Sequence, residues 1–273
     1  MSASQEPLPT FVDPPVIEAV LGVQFAPLQQ LSILHFGIYW AQIQEAYPHQ
    51  EIKPALVPAI EEFERQPGSE AIVRFGPVSE PELRCWFIDS GSTRLIQTQK
   101  DRFIRNWRKV KPEDSYPHYD ILKPEFQAEW ERFCGFLQQS GLGVPEVNQC
   151  EVTYVNHIEI GKGWESPGEA HKVIRLVSDT STADLLKQPE LVRMNTSYAF
   201  PNNKGRLHIA AQPAISQHLA KEVLQLTLTA RGRPDSSDLP GVLEWFDLGH
   251  EWVVRGFADL TTPQMHKVWR RTS

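Results

Sequence analysis

Several features that would assign this chain to a common protein class are missing. Its three cysteines, Cys85, Cys134 and Cys150, form neither a C-x-x-C pair nor an even-numbered framework. This excludes a disulfide scaffold and favours free thiols in a reducing compartment. No run of about 18 apolar residues is present, which excludes a membrane-spanning helix. The first residues lack a basic stretch followed by an apolar core, so we expect no secretory signal and a cytoplasmic protein.

Positive charge is also scarce. The 273 residues carry a formal net charge of −7, and the sequence pI is about 5.7. An acidic chain has no overall attraction for nucleic acid or anionic membranes, so binding to either would need a local basic patch.

The motifs that usually identify an enzyme are absent as well. The sequence contains no G-x-S-x-G elbow, no phosphate-binding glycine loop and no cysteine in a recognised nucleophile setting. None of the nine histidines forms an H-x-x-x-H pair, and His157 with Glu159 gives only weak support for a metal. We therefore predict no catalytic residue, no metal and no cofactor.

Apolar periodicity predicts a mixture of strands and helices. Helices are expected over 31–47, from Pro124 to about 141, over 168–178, from Leu239 onward and after the N-cap Thr262. Strands are expected over 16–25, 71–75, 83–89, 94–98, 100–108, 150–160, 193–200, 206–212 and 222–230, and the runs 94–98 and 100–108 could be one long strand. The first helix carries two adjacent apolar stripes, which predicts that it is largely buried.

This order repeats once along the chain. A flexible N-terminus (1–13) is followed by two halves, 14–146 and 147–273, and each reads as strand, helix, several strands and helix. We expect an α+β fold with a curved antiparallel sheet and helices on one face, the halves packing as one unit. Two sandwiched α+β domains are the alternative. The order of elements resembles the TATA-binding-protein-like class of folds.

Six segments carry a second resemblance, and together they extend from about Pro14 to Arg271. They read "PPVIEAVLGVQFAPL", "QTQKDRFIRNWRK", "YPHYDILKPEF", "CEVTYVNHI", "LTLTARG" and "HEWVVRGFADLTTPQMHKVWRR". On these segments the chain resembles a sporadically distributed bacterial family whose members have no established activity. The resemblance implies a bacterial, non-secreted protein, and the patchy distribution suggests an accessory role such as phage defence or toxin neutralisation.

The most distinctive local feature is the basic run "KDRFIRNWRKVK" at 100–111. On a strand, Arg105 and Trp107 would share one side, and Arg102 and Arg108 the other. Arginine beside tryptophan is typical of nucleic-acid binding, through phosphate pairing and base stacking. Alternatively, the aromatic residues pack in the core and the arginines pair with carboxylates.

A second group of candidate residues is aromatic. Tyr116, His118 and Tyr119 in "SYPHYD" could line a ligand pocket, or could cap the following helix. A pocket between sheet and helices is expected to include Tyr119, His157 and carboxylates.

These observations support three functions. The missing catalytic motifs and the eight tryptophans favour a non-enzymatic binding or regulatory protein that acts through protein partners or self-association. The alternatives are nucleic-acid binding through Arg102, Arg105, Trp107 and Arg108, and a small-molecule-binding protein or enzyme that uses a pocket.

Overall fold

Antiparallel strand pairing organises the chain. The computed structural model describes residues 6–63, 83–216 and 219–273, and nine strands of these residues form one open, curled sheet. The strands are β1 (Val16–Phe25), β2 (His49–Pro54), β3 (Leu83–Ile88), β4 (Arg94–Gln99), β5 (Arg102–Arg108), β6 (Val147–Glu159), β7 (Met194–Ala199), β8 (Arg206–Ser216) and β9 (Lys221–Gly232). The helices are α1 (Ile33–Ile43), α2 (Tyr119–Gln139), α3 (Leu239–Leu260) and α4 (Pro263–Val268), with 3₁₀ turns at Pro167–Lys172 and Pro201–Asn203. None of the described helices has the length and apolar character that crossing a bilayer requires.

The sheet order places the strands of the two predicted halves on opposite sides of one central pair. The strands lie in the order β2-β3-β4-β5-β1-β6-β9-β8-β7, so the first strand of each half, β1 or β6, lies at the centre. Those two strands pair with each other, and each half adds its later strands outward from them. One continuous sheet with helices on one face is therefore correct, and the sandwich alternative is wrong.

The core lies between the sheet and α1, α2 and α3. Alternate residues of each strand point toward these helices, because successive side chains of a strand face opposite sides. Phe103 of β5 contacts Phe126, Trp130 and Phe133 of α2 at ring-centroid distances of 5.9, 5.5 and 5.1 Å. Phe126 also meets Phe246 of α3 edge-on at 4.8 Å, which joins the helices of the two halves. Truncating a buried phenylalanine in such a core costs about 3–5 kcal/mol.

The opposite face of the sheet, here called the polar face, has a different composition. Its buried side chains include Gln24, Gln97, Gln99, Asn106 and Gln149. Residues 55–63, the crossing segment, run over this face in an extended form. The backbone N–H groups of residues 56, 59 and 61 donate to the side-chain oxygens of Gln99, Gln24 and Gln149 at 2.9, 3.1 and 3.2 Å. Side-chain amides thus replace the strand partners that the crossing segment lacks.

Some predicted strands differ from the structure. The runs 94–98 and 100–108 are two strands, because a turn at Lys100 and Asp101 folds them into the β4–β5 hairpin. Strand β2 was not predicted, since its polar sequence "HQEIKP" lies at an exposed sheet edge and carries no apolar alternation. The predicted strand 71–75 lies outside the described residues.

Three helix predictions also need correction. Helix α1 ends at Ile43, and Leu34 and Ile38 of its second stripe are 76% and 55% exposed, because the sheet covers only one side of the helix. The predicted helix 168–178 is reduced to the 3₁₀ turn Pro167–Lys172. Pro124 lies inside α2 rather than in its first turn, whereas Thr262 is the N-cap of α4, as predicted.

Candidate functional site

A cavity of about 260 Å³ lies between the helix-covered face of the sheet and the helices α2 and α3. Its walls include Phe11, Tyr116, Tyr119, Tyr154, Asn156 and His250. We call it the tyrosine cavity. The volume is just below the roughly 300–1,000 Å³ of typical small-molecule sites, so it fits a compact ligand.

Each wall of the tyrosine cavity comes from a different part of the chain. Tyr116 lies in the loop before α2, and His118 turns that loop into the helix with a positive φ of 66°. Tyr154 points from β6 toward the helices, in register with Ala19 of β1. His250 projects from α3, so residues far apart in sequence meet because β1 and β6 pair.

The N-terminal residues form the remaining wall. The backbone of Phe11 bridges to Arg271, and its ring contacts Phe257 of α3 at 5.5 Å. The Thr10 carbonyl accepts a hydrogen bond of 2.9 Å from the N–H of Thr272. These contacts lie within the segment that the sequence predicted to be flexible.

Two tyrosine hydroxyls meet at the cavity wall. The oxygens of Tyr116 and Tyr154 are 2.5 Å apart, and Trp107 supports the Tyr116 ring edge-on at 5.6 Å. Burial raises the pKa of both hydroxyls above the usual value, so both keep their protons at neutral pH. Two hydroxyls carry two protons, and their mutual hydrogen bond uses one. The other proton is available to an acceptor atom of a ligand.

A neutral histidine lies beside the hydroxyl pair. The ring of His250 stacks on Tyr119 with centroids 3.9 Å apart and planes inclined by 5°. Burial lowers the pKa of His250 to about 4, although the carboxylates of Asp120 and Asp247 oppose this shift. The imidazole is therefore uncharged near pH 7. The Tyr119 hydroxyl donates to Asp247 at 2.9 Å, which fixes the stacked ring.

Two other cavities in the described residues are larger, so volume alone would not select the tyrosine cavity. One of about 430 Å³ lies along α3 and is lined by Tyr198 and Trp252. Another of about 540 Å³ is lined in part by polar side chains that include Lys109, His157 and Glu159. Of these three cavities, only the tyrosine cavity has paired hydroxyls and a neutral imidazole in its wall, and a few polar groups in a mostly apolar wall are typical of a ligand site.

The four residues of the basic run do not form one surface. Arg105 is 3% exposed and pairs with Glu125 of α2, and Trp107 is 6% exposed beside Tyr116. Arg102 and Arg108 extend from the polar face instead. The predicted alternation is correct, but a nucleic-acid surface that uses all four residues is ruled out because α2 and its neighbours cover Arg105 and Trp107.

The aromatic prediction has a mixed outcome. Tyr116, His118 and Tyr119 all line the tyrosine cavity. His157 lies on the polar face of β6, 3.4 Å from the side-chain oxygen of Gln225, and lines a different cavity. In the stretches covered by the structure, no three His, Cys, Asp or Glu side chains come close enough to hold a metal ion.

Tyr154, Asn156 and His250 were not among the predicted site residues. Tyr154 and Asn156 lie on the alternation of β6 that faces the helices, which marks them as buried polar groups without indicating a shared cavity. No match to the chain was found among protein-family models, curated proteins or solved structures. The geometry of the chain itself is therefore the basis for assigning a function.

Proposed function

We propose that this chain is a binding protein for a small, neutral and largely apolar molecule that carries a hydrogen-bond acceptor. The observation that carries the proposal is the Tyr116–Tyr154 hydroxyl pair at the wall of the tyrosine cavity. The pair has one proton to donate, and the aromatic walls favour an apolar ligand.

The charge of the site supports a neutral ligand. His250 and the two tyrosines are uncharged near pH 7, and the carboxylate of Asp120 lies at the cavity. An anion would therefore meet a negative charge without a cationic partner in the cavity wall. A carbonyl oxygen would accept the available proton without that repulsion.

A matched pair of compounds tests the proposal. Acetophenone carries a carbonyl acceptor, and ethylbenzene has a similar shape without one. We expect acetophenone to bind more tightly in saturation-transfer NMR titrations, by about 5-fold for one neutral hydrogen bond. Replacing both Tyr116 and Tyr154 with phenylalanine should abolish this preference and leave the binding of ethylbenzene unchanged.

The control is Tyr198→Phe, because Tyr198 lies on the edge strand β7 and is 42% exposed. If the double variant kept the preference for acetophenone, the hydroxyl pair would not be the donor. If neither compound bound, the class of ligand would be wrong. Association with a protein partner or with a second copy of the chain, which the missing catalytic motifs favoured, stays a prediction.

A further inference from the structure

Three cations surround one tryptophan on the polar face, at the end of the sheet away from the tyrosine cavity. Lys53 of β2, Arg84 of β3 and Arg108 of β5 lie 4.9, 5.5 and 6.0 Å from the ring of Trp86. We call these four residues the Trp86 cluster. All four are partly exposed, so the cluster is open to a partner from solution.

The cluster has more hydrogen-bond donors than acceptors. Among the described residues, Nε of Arg84, Nε1 of Trp86 and Nε of the neighbouring Arg102 are shielded from solvent and have no acceptor. Buried donors without an acceptor are rare in folded proteins. Other nitrogens of the cluster have acceptors, since Arg84 donates to the Gln97 side chain at 2.8 Å and Arg108 to the Ser92 carbonyl at 2.7 Å. Donors therefore outnumber acceptors around the cluster among these residues.

Carboxylates of the described residues do not fill this role. Glu51 pairs with Lys53 at 2.5 Å, and Glu18 accepts a hydrogen bond of 2.6 Å from Asn106. No carboxylate in the described ranges forms an ion pair with Arg84, Arg102 or Arg108. An anion from outside these residues could therefore pair with the exposed ends of Arg84 and Arg108, whereas the shielded Nε atoms stay covered.

The other end of the polar face shows which anion this surface accepts. The side chain of Glu61 in the crossing segment is 6% exposed and lies against Arg206, His208 and Arg231. His208 approaches its carboxylate at 2.6 Å, and Arg231 at 3.6 Å. The backbone of the same segment is held by glutamine side chains. The polar face thus already binds an extended chain through its backbone amides and one carboxylate.

From these observations we infer that the Trp86 cluster binds the carboxylates of an extended, acidic polypeptide segment of a partner. Arg84 and Arg108 supply the charge, and Lys53 adds a third cation that it shares with Glu51. Single-stranded nucleic acid fits less well, because three cations already lie within about 6 Å of the Trp86 ring and would compete with a stacked base for it. This inference is independent of the tyrosine cavity.

The test uses two synthetic probes, fluorescein-labelled peptides of alternating Glu and Val and of alternating Gln and Val. We expect the acidic peptide to bind in fluorescence anisotropy titrations and its affinity to fall as salt is added. Replacing Arg84 and Arg108 with glutamine should weaken binding by about 10-fold or more, since each arginine donates charge-assisted hydrogen bonds. Arg132→Gln on the exposed side of α2 is the matched control.

Thermal melts establish that each variant is folded, and Lys53→Gln on the edge strand β2 is a second, milder variant. Equal binding of the two peptides would overturn the inference, as would an unchanged affinity in both variants. An oligo(dT) 12-mer provides the remaining outcome. Tighter binding of this probe with the same dependence on Arg84 and Arg108 would assign the cluster to nucleic acid and refute the peptide.

Discussion

Replacing His250 with phenylalanine should remove a pH-dependent component of the stability of the fold. The folded state lowers the pKa of His250 from 6.5 to about 4, mainly because the ring is buried in the wall of the tyrosine cavity. The unfolded chain therefore binds a proton at this residue over a pH range in which the folded chain does not. The free energy of unfolding therefore decreases as the pH falls from about 6.5 to about 4. Above that window, His250 makes no pH-dependent contribution to it.

The size of the effect follows from the shift. Each pKa unit corresponds to about 1.4 kcal/mol, so the drop to about 4 corresponds to about 3 kcal/mol across the window. About 2 kcal/mol of this is already lost at pH 5, where the unfolded histidine is almost fully charged. Phenylalanine does not titrate and keeps a ring against Tyr119, so the variant should resist this loss.

Urea unfolding of both proteins between pH 4.5 and 7.5 is the appropriate assay. Other groups titrate in the same range, so the quantity to follow is the difference in unfolding free energy between wild type and variant. We expect this difference to change by about 2 kcal/mol in favour of the variant between pH 7.5 and pH 5. His49→Gln, at an exposed position on β2, is the control for removing a histidine outside the cavity. A flat difference for His250→Phe would refute the buried, neutral histidine.

Three further predictions concern the core. Glu125→Gln should cost about 3–5 kcal/mol in urea unfolding, because it leaves the buried Arg105 charge unpaired, while Arg105→Met should cost less since Glu125 keeps Arg94. Gly232→Ala should destabilise the fold by at least about 1–3 kcal/mol, because an added Cβ would lie 2.3 Å from the Lys204 carbonyl oxygen. The three cysteines should react with iodoacetamide at pH 8 at least about 100-fold more slowly in the folded than in the unfolded protein, since burial raises their pKa values.

The outcomes that would contradict these predictions are equally specific. If Glu125→Gln and Arg105→Met lowered the free energy of unfolding equally, the ion pair with Glu125 would not compensate the buried charge of Arg105. A Gly232→Ala variant as stable as wild type would mean that β9 and the Lys204 loop can separate at little cost. Rapid labelling of the folded chain would place a thiol at the surface.

Local patterns were sufficient to predict the fold class. Each element's own contact with the core sets its apolar pattern. This gives the period of two in β1 and β6 and the helical spacing of Phe126, Trp130 and Phe133. Because both halves place a strand first, the repeated order also indicated how they could join. The edge strand β2 has no buried side to impose a pattern, so it carries no such signal.

The candidate sites could be predicted only in part. Alternation along β5 assigns Arg105 and Trp107 to one side and Arg102 and Arg108 to the other, but it does not say which side α2 covers. Tyr116 and His250 meet only through long-range packing, and no spacing in the sequence reports that contact. The crossing segment was missed for the same reason, since glutamine side chains of distant strands bind its backbone.

Strand β5 connects the two candidate sites. Trp107 faces the helices and supports Tyr116 at the tyrosine cavity, whereas Arg108, the next residue, faces the other way toward Trp86. A shift of one residue in the pairing of β5 with β1 would exchange these directions, burying Arg102 and Arg108 and exposing Arg105 and Trp107. The register of Ala19 with Trp107 and of Glu18 with Arg108 therefore positions a side chain at each site. The apolar contacts of Phe103 and Trp107 under α2 stabilise that register. The core that buries Arg105 and Trp107 therefore also places Arg102 and Arg108 on the polar face.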